Sequence, residues 1–122
     1  MTFPGPGLVR FQGGGRAKYT GKYLSKPHSM VGASKVMVTM SIRGGGSLDH
    51  KGGLADYAEI DLLIDGKIVA RKSCKGWNCP RMRTLSISST KKGKQFQINI
   101  QLRLTGRDEW LEFGSVRYAV CP

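Results

Sequence analysis

The stretch "YAEIDLLIDGKIVARK", residues 57–72, decides the fold. Two short runs of alternating character flank Asp65-Gly66. Asp-Gly in that setting is the strongest short-range hairpin signal, because both central residues of a tight type I′ turn need positive φ. A two-residue turn sets Ile64 opposite Lys67, Leu62 opposite Val69, Asp61 opposite Ala70 and Glu59 opposite Lys72. The last is an opposite-charge cross-strand pair.

The same period of two continues on both sides. In "VMVTMSIR" (36–43), Val36, Val38, Met40 and Ile42 share one face; Met37, Thr39, Ser41 and Arg43 share the other. In "QFQINIQLRLTG" (95–106), Phe96, Ile98, Ile100, Leu102 and Leu104 alternate with Gln95, Gln97, Asn99, Gln101 and Arg103. "RTLSISS" (83–89) offers Leu85 and Ile87 inward. In "WLEFGSVRYAV" (110–120) the inward parity moves from Leu111 and Phe113 to Val116, Tyr118 and Val120, which predicts a β-bulge at Gly114-Ser115. No window carries helical periodicity, and glycine-rich turns separate six or seven short strands. The predicted fold is all-β, an antiparallel Ig-like or jelly-roll-like β-sandwich with an extended N-terminal arm. The arm is residues 1–35, with only "LVRFQ" (8–12) as a strand, and the sandwich domain is residues 36–122. A chain of 122 residues is long enough to bury one core.

The net charge is +12, carried by 20 Lys and Arg against 8 Asp and Glu. An excess of this size favours polyanionic partners. The charge is also in blocks: residues 66–107 hold Lys and Arg but no acid, while 49–65 hold five acids and one Lys. Such patches can pair within one fold or between copies of it. No apolar run reaches membrane-span length, so no span is expected. The N-terminus "MTFPGPGLVRFQGGG" lacks an apolar signal-peptide core, which predicts synthesis without a leader.

Two basic clusters are the candidates for nucleic-acid or polyanion contact. Arg10, Arg16, Lys18, Lys22 and Lys26 interleave with Phe11, Tyr19 and Tyr23 in the arm, so cations can meet phosphates while rings stack on bases. Lys67, Arg71, Lys72, Lys75, Arg81, Arg83, Lys91, Lys92 and Lys94 follow the edges of two hairpins. Lysines on strand edges also serve to block strand-to-strand aggregation. In "CKGWNCP" (74–80), the Cys74 and Cys79 spacing is not that of a redox C-x-x-C motif. A local disulfide and a set of free thiols both stand, with Cys121 left over. A metal site would have to gather the scattered His28, His50 and Cys121, and no metal or other cofactor is expected. His50 with Asp49 and Glu59 is the nearest approach to a ribonuclease-like acid–base set, with nothing to position it.

"EIDLLIDGKIVARK" resembles the core hairpin of PD-(D/E)xK nucleases, in which an Asp and the Glu of an E-x-K on the next strand hold Mg²⁺. Asp61 would be the Asp, but the E-x-K position reads Ala70-Arg71-Lys72, so the second carboxylate is missing. From "ADYAEIDLLIDGKIVARKSCKGWNC" through "KGKQFQINIQLRLTGRDEW", the layout resembles small β-sandwich modules of actinobacteria and their phages. That resemblance implies a fold more than an activity, and with the missing leader it points to an assembled product.

The expected function is therefore non-enzymatic: a structural or binding module of a larger assembly, such as a phage decoration, head, tail or small coat protein. Its partners would be copies of itself or other assembly subunits, with nucleic acid or an acidic surface as a further contact. The expected location is the virion, or the cytoplasm before assembly, and outside the cell if Cys74 and Cys79 are bonded. Two alternatives stand beside it, a basic nucleic-acid- or polyanion-binding protein and a Mg²⁺-dependent nuclease or small ribonuclease toxin.

Overall fold

The computed structural model of the chain describes residues 2–5, 8–12, 19–46, 56–104 and 109–122. Among them are ten strands and one short helix: β1 (Thr2–Gly5), β2 (Leu8–Gln12), β3 (Tyr19–Leu24), β4 (His28–Ser29), β5 (Lys35–Gly45), β6 (Tyr57–Ile64), β7 (Lys67–Lys75), α1 (Asn78–Met82), β8 (Thr84–Ser89), β9 (Gln95–Leu104) and β10 (Trp110–Cys121). The strands form two sheets, ordered β1-β2-β10-β5-β8 and β3-β9-β6-β7, with β4 also on β9. Every pairing is antiparallel. The fold is an all-β antiparallel sandwich. No helix among the described residues is long and apolar enough to cross a membrane.

The alternation seen in the sequence sets the core. Val36, Val38, Met40 and Ile42 of β5 face Ala58, Ile60, Leu62 and Ile64 of β6 and the apolar set of β9 across one buried cluster. Burying one such aliphatic side chain contributes roughly 1.5–3 kcal/mol. Phe11 of β2 meets Phe113 of β10 edge to face, with ring centroids 6.2 Å apart. The short helix was not foreseen. It links the edge strands β7 and β8, and a Cys74–Cys79 disulfide with Cα atoms 5.1 Å apart ties it to the end of β7. Cys121 is free and exposed.

The described residues among the first 35 pair into both sheets. β1 and β2 extend the first sheet, β3 and β4 lie along one side of β9, and Val9 and Phe11 are core residues. Between β3 and β4 the ladder is carried across Lys26 and Pro27 by Ser25. Its N–H donates to the Ile98 carbonyl at 2.9 Å, and its hydroxyl accepts the Ile98 N–H at 2.9 Å.

The hairpin turns at Asp65-Gly66, with φ of 50° and 81°, as the sequence requires. Its register differs from the expected one. Val69 is an extra residue, so Leu62 lies opposite Ala70, Asp61 opposite Arg71 and Glu59 opposite Ser73. A bulge of this kind puts two residues against one and re-aims the side chains beyond it. The bulge expected at Gly114-Ser115 is present: the register with β5 shifts between Gly114 and Arg117. Beyond it, Tyr118 and Val120 have inward parity but are exposed, with the Tyr118 ring against His28 and Phe96 of the other sheet, centroids 4.6 and 5.4 Å away.

The turn is fastened to the start of β9. The Asp65 carboxylate accepts the backbone N–H groups of Lys94 at 3.1 Å and Gln95 at 3.2 Å. Gly93 fits beneath it, where a Cβ would collide with Ile64 Cγ2 and lie 2.8 Å from Asp65 Oδ2. Gly93→Ala is expected to lower stability by about 1–3 kcal/mol, the usual range for overpacking, as read by denaturant unfolding.

Candidate functional site

The two outer faces of the sandwich differ. On the first sheet, Met37, Arg43, Ser86 and Arg117 are exposed, while Thr39, Ser41 and Trp110 are half-buried and Glu112 is buried. On the second sheet the exposed outward residue of the two central strands is Gln95, at the start of β9; Tyr57, Glu59, Asp61 and Leu63 on β6, and Gln97, Asn99, Gln101 and Arg103 on β9, are at least half-buried. That face is a recessed polar floor.

Its side chains lie in rows set by the register. One row runs Leu24–Asn99–Asp61–Arg71 across β3, β9, β6 and β7. The next runs Lys22–Gln101–Glu59–Ser73, and the third Thr20–Arg103–Tyr57–Lys75. Neighbouring residues in a row are about one strand spacing apart, ~4.8 Å.

Asp61 is the anchor of the floor and is 0% exposed. Arg71 Nε donates to Asp61 Oδ1 at 2.6 Å, and Nη2 donates to Asp61 Oδ2 at 3.2 Å. Glu59 Oε2 lies 3.2 Å from the same Nε. The Asp61 carboxylate, by hydrogen bonding and then by its charge, holds the Arg71 guanidinium pKa above its ordinary value, with Glu59 adding to it. At the far end, the Arg103 guanidinium lies over the Tyr57 ring at 5.0 Å from its centroid. Between them, Asn99 is 9% exposed, and its Oδ1 is buried with no hydrogen-bond partner.

The aromatic of the first sheet's outer face is already engaged. A Cβ on Gly45 would come 2.6 Å from Trp110 Nε1, so the indole rests against β5, and the Arg10 guanidinium covers it at 4.3 Å. Glu112 sits 3.9 Å from both Arg10 and Arg43.

The candidate residues named from sequence do not come together. Arg10 is on the outer face of the first sheet with Glu112, Lys22 is on that of the second, and Lys26 is in the β3–β4 break. Lys72 and Lys75 lie on β7, Arg81 on α1 and Arg83 at its C-cap. Lys91, Lys92 and Lys94 precede β9. Arg16, Lys18 and His50 lie outside the described residues. For the nuclease likeness, Asp61 faces an arginine instead of a second carboxylate. Among the described residues no group of three His, Cys, Asp or Glu could hold a metal ion. The residues that sequence reasoning missed are Asn99 and Gln101, which the alternation showed only as outward polar positions.

No protein-family model and no curated protein sequence matches the chain. Two solved structures share its fold. TmCBM61, solved in complex with β-1,4-galactotriose, aligns over 93% of this chain and 70% of its own, with a TM-score of 0.57 and 9% identity. The C-terminal domain of EclA, a sugar-binding protein, aligns over 98% of this chain and 81% of its own, with a TM-score of 0.60 and 14% identity. These neighbours bind sugars, and they correct the expected function. The virion, phage and structural-assembly reading is overturned, and so are the nucleic-acid or polyanion binder and the nuclease. The dispersal of the basic residues over both sheets and several loops is the physical counterpart of that correction.

Asn99→Leu is expected to stabilise the protein by about 1 kcal/mol, because it replaces a buried acceptor that has no donor with an apolar group of similar size. The midpoint of urea unfolding reads this gain.

Proposed function

We propose that this chain is a non-catalytic carbohydrate-binding module, and that it binds saccharide on the outer face of the β3-β9-β6-β7 sheet. The observation that carries the reading is the recessed polar floor on that face, in a fold similar to two sugar-binding domains. Sugars present hydroxyls that both donate and accept, together with apolar C–H patches. Amides, carboxylates and guanidinium groups answer the first, and ring or aliphatic surfaces the second. The floor offers Gln101, Asn99, Glu59 and Arg71 for hydroxyls. Tyr57 at one end and Leu24 and Leu63 at the other offer apolar surface. Pre-set polar groups on rigid strands lower the ordering cost of binding.

The test is titration calorimetry with β-1,4-galactotriose, cellotriose, mannotriose and xylotriose. Binding of at least one is expected, with the affinity unchanged between low and high salt, because a neutral ligand releases no counterions. Tyr57→Ala should weaken it about tenfold, equivalent to about 1.4 kcal/mol. Failure to bind any saccharide in a wider glycan panel would sink the reading.

A further inference from the structure

We infer that the Asn99–Asp61–Arg71 row reads a free vicinal diol of a saccharide, an inference that rests on the carbohydrate-binding reading of this face. Two observations carry it. The first is the unpartnered Asn99 Oδ1, an acceptor on a side chain that is nine-tenths buried and stands on the outward side of β9. Native proteins leave few such atoms, and each calls for a donor from somewhere. The second is the geometry of Arg71. Nε and one N–H of Nη2 go to Asp61, and Glu59 sits against the same Nε. A guanidinium has five N–H donors, so the Nη1 pair and the second N–H of Nη2 remain for a ligand. The side chain is 49% exposed.

One row therefore presents an acceptor that wants a donor beside donors that want an acceptor, with Asp61 between them fixing the guanidinium in place. A pair of adjacent hydroxyls answers both: one donates to Asn99 Oδ1, and its neighbour's oxygen accepts from Arg71 Nη1. An ether oxygen answers only one. A single hydroxyl can donate and accept, but it would have to lie within hydrogen-bond reach of side chains whose backbones are two strand spacings apart, ~9.6 Å, with Asp61 between them. Leu24, 52% exposed, flanks Asn99 on the other side, so a hydroxyl reaches Oδ1 when Leu24 turns to another rotamer while Arg71 stays on Asp61.

The experiment uses the full chain and the four trisaccharides above, with monodeoxy analogues of whichever of the four binds tightest. Removing either hydroxyl of one particular diol is expected to weaken binding about fivefold to tenfold, the scale of one lost hydrogen bond. Asn99→Leu should weaken the parent sugar to a similar degree while leaving the unfolding midpoint no lower. In Asn99→Leu the deoxy analogue at the donating position should bind as well as the parent. Arg71→Lys should lose affinity as well, since an ammonium cannot hold Asp61 bidentately and still present a fork. Saccharide binding that is indifferent to Asn99→Leu and to both deoxy positions would overturn this inference and leave the carbohydrate-binding reading intact. Absence of all saccharide binding would overturn both.

Discussion

A carboxylate taken wholly out of water costs several kcal/mol unless a cation and hydrogen bonds are held against it. Asp61 is fully buried, and it sits on the outer face of a sheet, where a charged side chain would ordinarily be hydrated. Arg71 satisfies it with two hydrogen bonds. That contact exists because Val69 is an extra residue in β7 and brings Arg71, not Ala70, opposite Asp61. Everything else on this face follows from it. The guanidinium lies over the carboxylate, Glu59 is drawn to the same Nε, and Asn99 is left in the adjacent position of the row with its acceptor open. One inserted residue thus turns an ordinary polar sheet face into a shaped one.

The parts of the fold legible in the sequence were those with two-fold periodicity. β5, β6 and β9 bury the residues that alternation assigns to the core, and Asp65-Gly66 turns the chain as that dipeptide must. The Gly114-Ser115 bulge was legible too, because apolar parity changes across it. The Val69 bulge was not. It lies in "KIVA", where neighbouring residues are all apolar and no change of parity marks the extra one. The strands β3 and β4 were hidden for a different reason. They run along one side of β9 only, half of their residues face water, and Lys, Gly and Ser at those positions read as loop. The faint signal was the inward Gly21 and Tyr23, which pair with Leu102 and Ile100.

Charge was the feature of the sequence that misled most. The blocks of basic and acidic residues suggested complementary surfaces between molecules. Antiparallel pairing instead folds them onto each other within one molecule. Arg10 and Arg43, from the acid-free first third of the chain, flank Glu112 near its end. Arg71, from the long basic block, neutralises Glu59 and Asp61 of the acidic one. These pairs engage three of the 20 basic residues. Net charge counts acids and bases as cancelled whether or not they meet, so it does not show where on the surface the remaining charge lies.

The open Asn99 acceptor is a cost that the fold does not require. Position 99 pairs with Asp61 on one side and Leu24 on the other, and an apolar residue there would complete the row with Leu24 without leaving an unmet hydrogen bond. Local choices that work against stability while neighbouring choices all favour it tend to mark function, since selection for folding alone would remove them. The same reasoning separates the two faces of the sandwich. On the first sheet Arg10 covers the Trp110 ring, and Arg10 and Arg43 both lie 3.9 Å from Glu112. On the second, the floor is finished except at one acceptor and one guanidinium edge. In the proposed reading, a hydroxylated ring supplies the donor that Asn99 Oδ1 lacks and the acceptor that the free edge of Arg71 lacks.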